Sequence, residues 1–466
     1  MSAPTIYRSA LPPERRRRDR AAHTRAQPPR PRPAVARAAL VVAGIGLGAT
    51  TALTCTAETG SELRAPGGPA TFAGSLTGMI GTYLALLMVL LVSRIPAIER
   101  VLGQDALVRW HRRLAPWPIS LLVAHAVLIT VGYAQAARSG LGHQINVLLT
   151  SYPDVLIATI GLALMCLAGI VSLRAIRSRL RRETWWTIHL YMYLALALSF
   201  AHVLVLGPSF VGHPLTRLVW SAVWASTAGL VIAYRFGLPV ARSLRHRLKV
   251  VQVRQESPGV VSVICTGRDL DKLPVAGGQF MFWRFLSRGR WWQAHPFSLS
   301  ALPRAPYVRL TVKAVGDYSA SLAGLRPGTP VMVEGPYGAF TRHAQVWPRA
   351  VLVAAGIGVT ALRSLLEDLP RNCSPIVLLR ASRREDLVLG REVAELVKNR
   401  SGQLHVLVGH REQASIDERA LRRLVPDLHH RDVFVCGPEG FVASIVDLVK
   451  RLGVPEEAIH HEAFAL

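Results

Sequence analysis

The chain divides in two by the period of its apolar residues. In the first half they run almost unbroken for about twenty residues at a time, near 35–54, 75–93, 115–133, 154–173, 186–206 and 216–236. Each run has the roughly 20-residue length a helix needs to cross about 30 Å of hydrocarbon. Lipid offers no partner to backbone amides, so these runs predict helices. From about residue 247 the pattern becomes short alternating stretches broken by turn residues, such as Val250 to Val253 and Val260 to Ile264. It predicts a small antiparallel β-barrel to about 343. Beyond it, an apolar strand, Ala350 to Ala355, runs through Gly356-Ile357-Gly358-Val359-Thr360-Ala361 into a helical stretch from Leu362. Strand, glycine turn and helix form a βα unit of nucleotide-binding type. The expected fold is a multi-domain membrane protein: an all-α six-helix bundle, then the barrel, then an α/β domain.

Composition adds orientation. Half of the 466 residues are hydrophobic and the formal charge is +26. Much of the basic excess clusters at Arg15 to Arg18, Arg109, Arg112, Arg113, Arg174 to Arg182 and Arg242 to Lys249, whereas 55–74 and 207–215 are poor in Lys and Arg. By the positive-inside rule, the N-terminus, the loops before the third and fifth spans and the whole C-terminal half face the cytoplasm. Charge here reports topology and contact with anionic lipid, and nucleic acid is not expected as a partner. Residues 1–33, rich in Pro and Arg, are expected to be a disordered cytoplasmic tail. A cleaved signal peptide is the alternative reading of the first run, and it leaves the later topology unchanged. Cys55, Cys166, Cys265, Cys373 and Cys436 lack CxxC spacing, so no disulfide framework or zinc site follows.

Four histidines interrupt the hydrophobic half: His111 and His125 at the third span, fourteen residues apart, and His189 and His202 at the fifth, thirteen apart. Both offsets approach whole helical turns, so each pair shares a helix face about 20 Å apart along the axis. With both spans running outward, His111 faces His189 near the inner surface and His125 faces His202 towards the outer. Ionisable groups in lipid mark function. Two facing His–His pairs could hold two stacked b-type haems with both axial positions filled. Arg109, Arg112 and Arg113 lie where haem propionates would sit, or act as topology anchors. His143 and His213 fall in expected outer loops without such partners, and those loops (55–74, 134–153, 207–215) show no metal-ligand cluster.

In the soluble half, His295-Pro296-Phe297-Ser298 pairs an aromatic ring with a hydroxyl on one strand, a combination that can cover a flavin face and hydrogen-bond its reactive nitrogen. Lys313 precedes a glycine turn in which Gly316 and Ser319, before a helix, could hold a pyrophosphate. The strand Ile376 to Leu379 ends in Arg380-Ala381-Ser382-Arg383, where arginine suits the 2′-phosphate of NADPH, although Glu385 and Asp386 lie nearby.

These motifs, in this order, resemble the ferric reductase and NADPH oxidase superfamily, most of all bacterial members with a ferric-reductase-like transmembrane domain. The resemblance runs from about residue 35 to Leu466. It implies a di-haem domain at 34–245, an FAD-binding barrel at 246–343 and a Rossmann-like NAD(P)H-binding domain at 344–466. The Arg-x-Tyr-Ser flavin motif of such modules corresponds to His295, Phe297 and Ser298, implying pyrophosphate contact, ring packing and a flavin hydrogen bond, with Lys313 available for the missing cation. Gly335-Pro336-Tyr337-Gly338 matches the turn linking the two soluble domains. Gly356, Gly358 and Thr360 match the pyrophosphate loop, with Ala361 where proline is common. Cys436-Gly437-Pro438 matches the motif beside the nicotinamide, and Phe464 the aromatic residue that covers the flavin. Ser298, Cys436 and Phe464 are thus the implied catalytic residues, and NADPH (or NADH) and FAD the implied cofactors. The implied activity passes electrons across a cell membrane to ferric chelate. O2, giving superoxide, and a partner membrane or extracellular protein are the alternative acceptors.

Overall fold

The computed structural model describes residues 33–464, apart from 58, 96–97, 100–101, 103 and 410–415. The expected basic tail therefore lies outside the described residues except for Pro33, which opens the first helix.

The apolar runs form helices α1 (Pro33–Ala57), α2 (Gly68–Val92), α3 (Gln104–Leu114), α4 (Pro116–Ala137), α5 (Leu141–Ser151), α6 (Val155–Val171), α7 (Arg182–Leu206), α8 (Pro214–Val231) and α9 (Leu238–His246). Among the described residues, five spans are long and apolar enough to cross a membrane: Arg37–Ala57, Gly68–Val92, Leu107–Ala137, Thr184–Leu206 and Pro214–His246. A sixth arises if α5 and α6, bent by 109°, are one broken span. Two expectations change here. The fourth run yields only the 17 residues of α6, and the supposed outer loop 134–153 contains α5. The third span also starts earlier than expected, because α3 continues into α4 through Ala115 in helical geometry. Large apolar side chains such as Val127, Ile157, Leu215 and Leu218 stay exposed on the bundle, as a lipid-facing surface requires.

Six antiparallel strands follow: β1 (Leu248–Ser257), β2 (Val260–Thr266), β3 (Phe280–Phe285), β4 (His295–Ser298), β5 (Tyr307–Lys313) and β6 (Pro330–Tyr337). Their order is β4-β3-β6-β1-β2-β5. A bridge from Leu299 to Leu310 links the two edges. Trp283, Phe285, Met281 and Leu310 are fully buried inside this sheet's core.

The remaining strands, β7 (Ala350–Ala355), β8 (Ile376–Ala381), β9 (Gln403–Val408), β10 (Asp432–Pro438) and β11 (Ile459–Phe464), form a parallel sheet ordered β11-β10-β7-β8-β9. Helices α10 (Val359–Asp368), α11 (Gly390–Lys398) and α12 (Glu439–Arg451) are among those that cover it. Every residue of β7 is buried, as a central strand between two helical layers requires. The chain leaves β7 towards β8 on one side and later returns to β10 on the other. That reversal opens a crevice at the C-terminal ends of β7 and β10, the usual ligand position of such sheets.

Candidate functional site

Helix α2 packs along α4, and α6 along α7. His111 and His189 have ring centroids 6.1 Å apart, and His125 and His202 6.2 Å. Two imidazoles on opposite faces of one metal ion would stand about 6 Å apart, given bonds of about 2 Å and a ring radius of about 1.1 Å on each side. His111 Nδ1 lies 3.2 Å from the Met88 carbonyl oxygen and His125 Nδ1 2.8 Å from that of Gly74. A carbonyl only accepts, so Nδ1 donates in both and Nε2 keeps its lone pair for a metal. The two acceptors lie fourteen residues apart on α2, or about 21 Å of helix. Gly78 permits the close approach, since a Cβ there would stand 2.5 Å from His125 Nδ1. Trp185 stacks on His189 with centroids 5.1 Å apart and donates Nε1–H to Ser172 Oγ, which is 3.4 Å from His189 Nδ1. His202 Nδ1 is buried without a hydrogen-bond partner among the described residues. The four histidines therefore fit two bis-imidazole haem irons.

The His111–His189 pair is the one nearer the FAD-binding domain. Met88 is close to the C-terminal end of α2, and just past that end Arg94 forms an ion pair with Glu334 of β6 and lies 4.3 Å over the Phe282 ring. Arg235, in the last span, reaches the same carboxylate at 3.3 Å, and Arg242 donates to the Gly335 carbonyl. Sequence reading missed this seam. Its only local trace is Pro239, which cannot donate to the carbonyl four residues back, that of Arg235. There the helix opens into a π-helical turn, Ile232–Gly237, in which the Leu238 amide donates to Ala233 O.

On β4, His295 stacks on Tyr318 with centroids 3.8 Å apart and lies 6.3 Å from Phe297. Burial pushes the Tyr318 hydroxyl up to about 12. Ser298 Oγ is buried without a partner among the described residues, an acceptor or donor left for a ligand. Ser319 Oγ accepts from the Val315 and Gly316 amides and donates to Gly316 O, so it shapes the glycine turn instead of projecting from it. Lys313 ends β5 with its side chain exposed.

At the parallel-sheet crevice, Gly358 passes so close to β10 that a Cβ would lie 2.4 Å from Cys436 O. Thr360 Oγ1 closes this turn by donating to Ile357 O at 2.9 Å. Cys436 is fully buried, and burial together with the Glu462 carboxylate holds its thiol far above its ordinary value, so it is neutral. Register pairs Pro438 with Phe464, and Phe464 packs on the cluster containing Cys436. Gly338 links this end to the flavin motif. A Cβ there would stand 3.3 Å from the ring of Phe280, the register partner of Ser298, and 3.6 Å from Glu462. Arg380 lies at the far end of β8, while Ser382 and Arg383 are exposed beyond it, with Arg383 paired to Glu385 at 2.7 Å and Asp386 at 3.5 Å.

Residues 77–200 match the family of ferric reductase like transmembrane components, 246–341 an FAD-binding domain, and 352–447 an oxidoreductase NAD-binding domain. The chain is 30% identical over 240 residues to an NADPH oxidoreductase of Mycobacterium tuberculosis (strain ATCC 25618 / H37Rv), an alignment covering 48% of this chain and 61% of that protein. It is 24% identical over 211 residues to respiratory burst oxidase homolog protein G of Arabidopsis thaliana, covering 40% and 23%. The chain thus spans less than two thirds of either relative. Among solved structures, the flavohem-like FAD/NAD-binding domain of nitric oxide dioxygenase from Vibrio cholerae O1 biovar El Tor aligns with 47% of this chain and 99% of that one, at 24% identity and a TM-score of 0.41. With a ferric-reductase-like transmembrane component, an FAD-binding domain and an NAD-binding domain in one chain, the protein matches the ferric reductase and NADPH oxidase superfamily.

Proposed function

We propose that the protein is a transmembrane oxidoreductase that oxidises NADPH in the cytoplasm and delivers electrons to an acceptor on the opposite face of a cell membrane, with ferric chelate as the acceptor. The observation that carries this reading is the pair of facing histidine sets along one bundle, with His111 and His189 on the side of the FAD-binding domain. Bound FAD would turn a two-electron donor into a one-electron source, and two b-type haems would supply one-electron carriers across the bilayer.

The chain's own groups have separable tasks in this scheme. Met88 O and Gly74 O fix the tautomers of His111 and His125 so that Nε2 stays free and, with His189 and His202, would hold the haem irons. Two histidines for each iron would hold the haems and would keep small molecules off the metal. Ser298 Oγ offers the flavin a hydrogen bond in a dry setting, and Phe297 and Phe464 pack against its ring. The turn Gly356 to Thr360 brings backbone amides to the pyrophosphate of NADPH, Cys436 to Pro438 flank the nicotinamide, and Arg380, Ser382 and Arg383 meet the 2′-phosphate. An inside-negative membrane potential favours outward electron flow by about 2.3 kcal/mol per charge per 100 mV.

The likeness to a respiratory burst oxidase homolog favours O2 as the second reading of the acceptor. NADPH oxidation by membranes carrying the chain, with ferric chelate or oxygen and with or without superoxide dismutase, separates the two. Ferric reduction that ignores the dismutase supports the first reading, and reduction abolished by it supports the second. No NADPH oxidation with either acceptor contradicts both.

A further inference from the structure

The seam between the last span and the FAD-binding domain encloses a cavity of about 320 Å³, within the size range of small-ligand clefts. One wall is Arg235, Phe236, Pro239 and Val240 from the π-helical turn and the start of α9, and the other is Phe282, Arg284 and His295 from β3 and β4. Arg94 and Glu334 close one side. Three guanidinium groups thus face the cavity and only one carboxylate, Glu334, does so among the described residues. Glu334 is engaged by Arg94 and Arg235, and Tyr337 donates its hydroxyl to the same oxygen at 3.1 Å. Arg284 has no carboxylate within ion-pair distance among the described residues. Counting Glu99, which interacts with Arg94 and Arg235 and which burial pushes up to about 7, the wall still carries more positive than negative charge among the described residues. Partly buried charge is costly without a partner, so such a surplus points to an anionic ligand. The π-helical turn is an independent pointer. It widens the last span at the one place where Arg235 and Phe236 enter the cavity, and such turns recur at functional sites.

We propose that this cavity is a diphosphate site built jointly by the membrane helices and the FAD-binding domain, in which Arg235 and Arg284 clamp the pyrophosphate of FAD from opposite walls. The inference rests on the FAD-dependent reading above and adds a membrane helix to the flavin site. An excess of positive charge suits the negative charges of a dinucleotide's diphosphate, and arginine forks suit phosphate oxygens in bidentate geometry. Arg94 has a positioning role, since it holds Glu334 and keeps that carboxylate from neutralising Arg235 fully. A flavin bound this way would fasten the soluble module to the membrane bundle, so docking and flavin binding would be coupled.

The test uses the full purified chain in detergent, titrated with FAD and, separately, with riboflavin, which carries no phosphate. Arg235→Met and Arg284→Met should each weaken FAD binding roughly tenfold to a hundredfold and leave riboflavin binding unchanged. Arg235→Lys should recover part of the loss, and Arg422→Met, on the exposed Glu418 pair far from both seams, should change nothing. If Arg235→Met does not fold, Arg284→Met on the soluble wall carries the test alone. Unchanged FAD affinity in these variants overturns the proposal, as does an equal loss for riboflavin. A fall in haem content without a change in FAD affinity also overturns it, by assigning the arginines to haem propionates. Failure of the wild-type chain to bind any FAD would instead overturn the proposed function.

Discussion

Between the FAD-binding and nucleotide domains, Glu392 of α11 takes two hydrogen bonds of 2.7 Å from Arg309 and one of 2.9 Å from Arg363. Alongside, the Gly277 and Gly278 amides donate to Asp368 and Ser364 of α10, and Glu367 takes Arg304 and the Leu302 amide. Between the membrane helices and the FAD-binding domain, the same residue types leave cations facing a cavity. The contrast separates two uses of buried charge. A carboxylate shared by several arginines and backed by backbone amides fixes one geometry, here the spacing between the HPFS strand and the nucleotide crevice. An excess of arginines over carboxylates leaves room for a charge from outside the chain.

The largest effect should come from the closed seam. Glu392→Gln leaves Arg309, which is only 2% exposed, without its charge partner, and should cost about 3–5 kcal/mol of stability by denaturant unfolding of the full chain. Burial alone would raise the Glu392 carboxyl, but Arg309, with Arg363 and Arg254, overcomes it and holds the group below its ordinary value. Its contribution is therefore present above the ordinary carboxylate range and is lost as pH falls through the lowered value.

At the open seam a second carboxylate, Glu99, behaves in the opposite way. Burial first, and then Glu334, push it up to about 7 against the pull of Arg94, Arg235 and Arg242. A raised carboxyl stabilises fully below its unfolded value, and that contribution is lost as pH rises through about 7. Thermal unfolding of the wild type should therefore worsen between about pH 4.5 and 7, whereas Glu99→Gln should flatten this slope, removing about 2–3 kcal/mol of pH dependence.

Glu334→Gln removes the carboxylate that Arg94 and Arg235 share. It should cost only about 1–2 kcal/mol of stability while tightening FAD binding several-fold, because it frees Arg94 and Arg235 for the anion. A loss of FAD affinity would place this seam in the same class as the closed one. The smallest effect is expected away from both seams: Arg380→Ala should raise KM for NADPH about tenfold and leave NADH nearly unchanged in steady-state assays.

Much of the site was legible because its signals are local. Histidine offsets on a helix, the strand pairing His295, Phe297 and Ser298, and the strand–glycine–helix turn at Gly356 are all set by residues near in sequence. The seams were not. Arg94 and Glu334 lie 240 residues apart and Arg309 and Glu392 83 apart, and no periodicity relates such positions. Helix α5 was hidden differently. Its eleven residues include Gln144 and His143 and are too short and too polar to read as a span, and its bend against α6 falls where Tyr152, before Pro153, is extended and Asp154 is left-handed. The hydroxyl of Ser319 shows the limit of motif reading, since it shapes the turn in which the motif sits.

In the proposed function, four histidines hold two electron-carrying haems between a cytoplasmic NADPH site and the far face. The most direct measurement is the absorption spectrum of the purified chain, before and after NADPH, beside His111→Leu, His189→Leu, His125→Leu and His202→Leu. Two haems per chain with bis-histidine spectra, reduced on adding NADPH, are expected, with the loss of one haem in each variant. A missing Soret band, or one unchanged in all four variants, would contradict it.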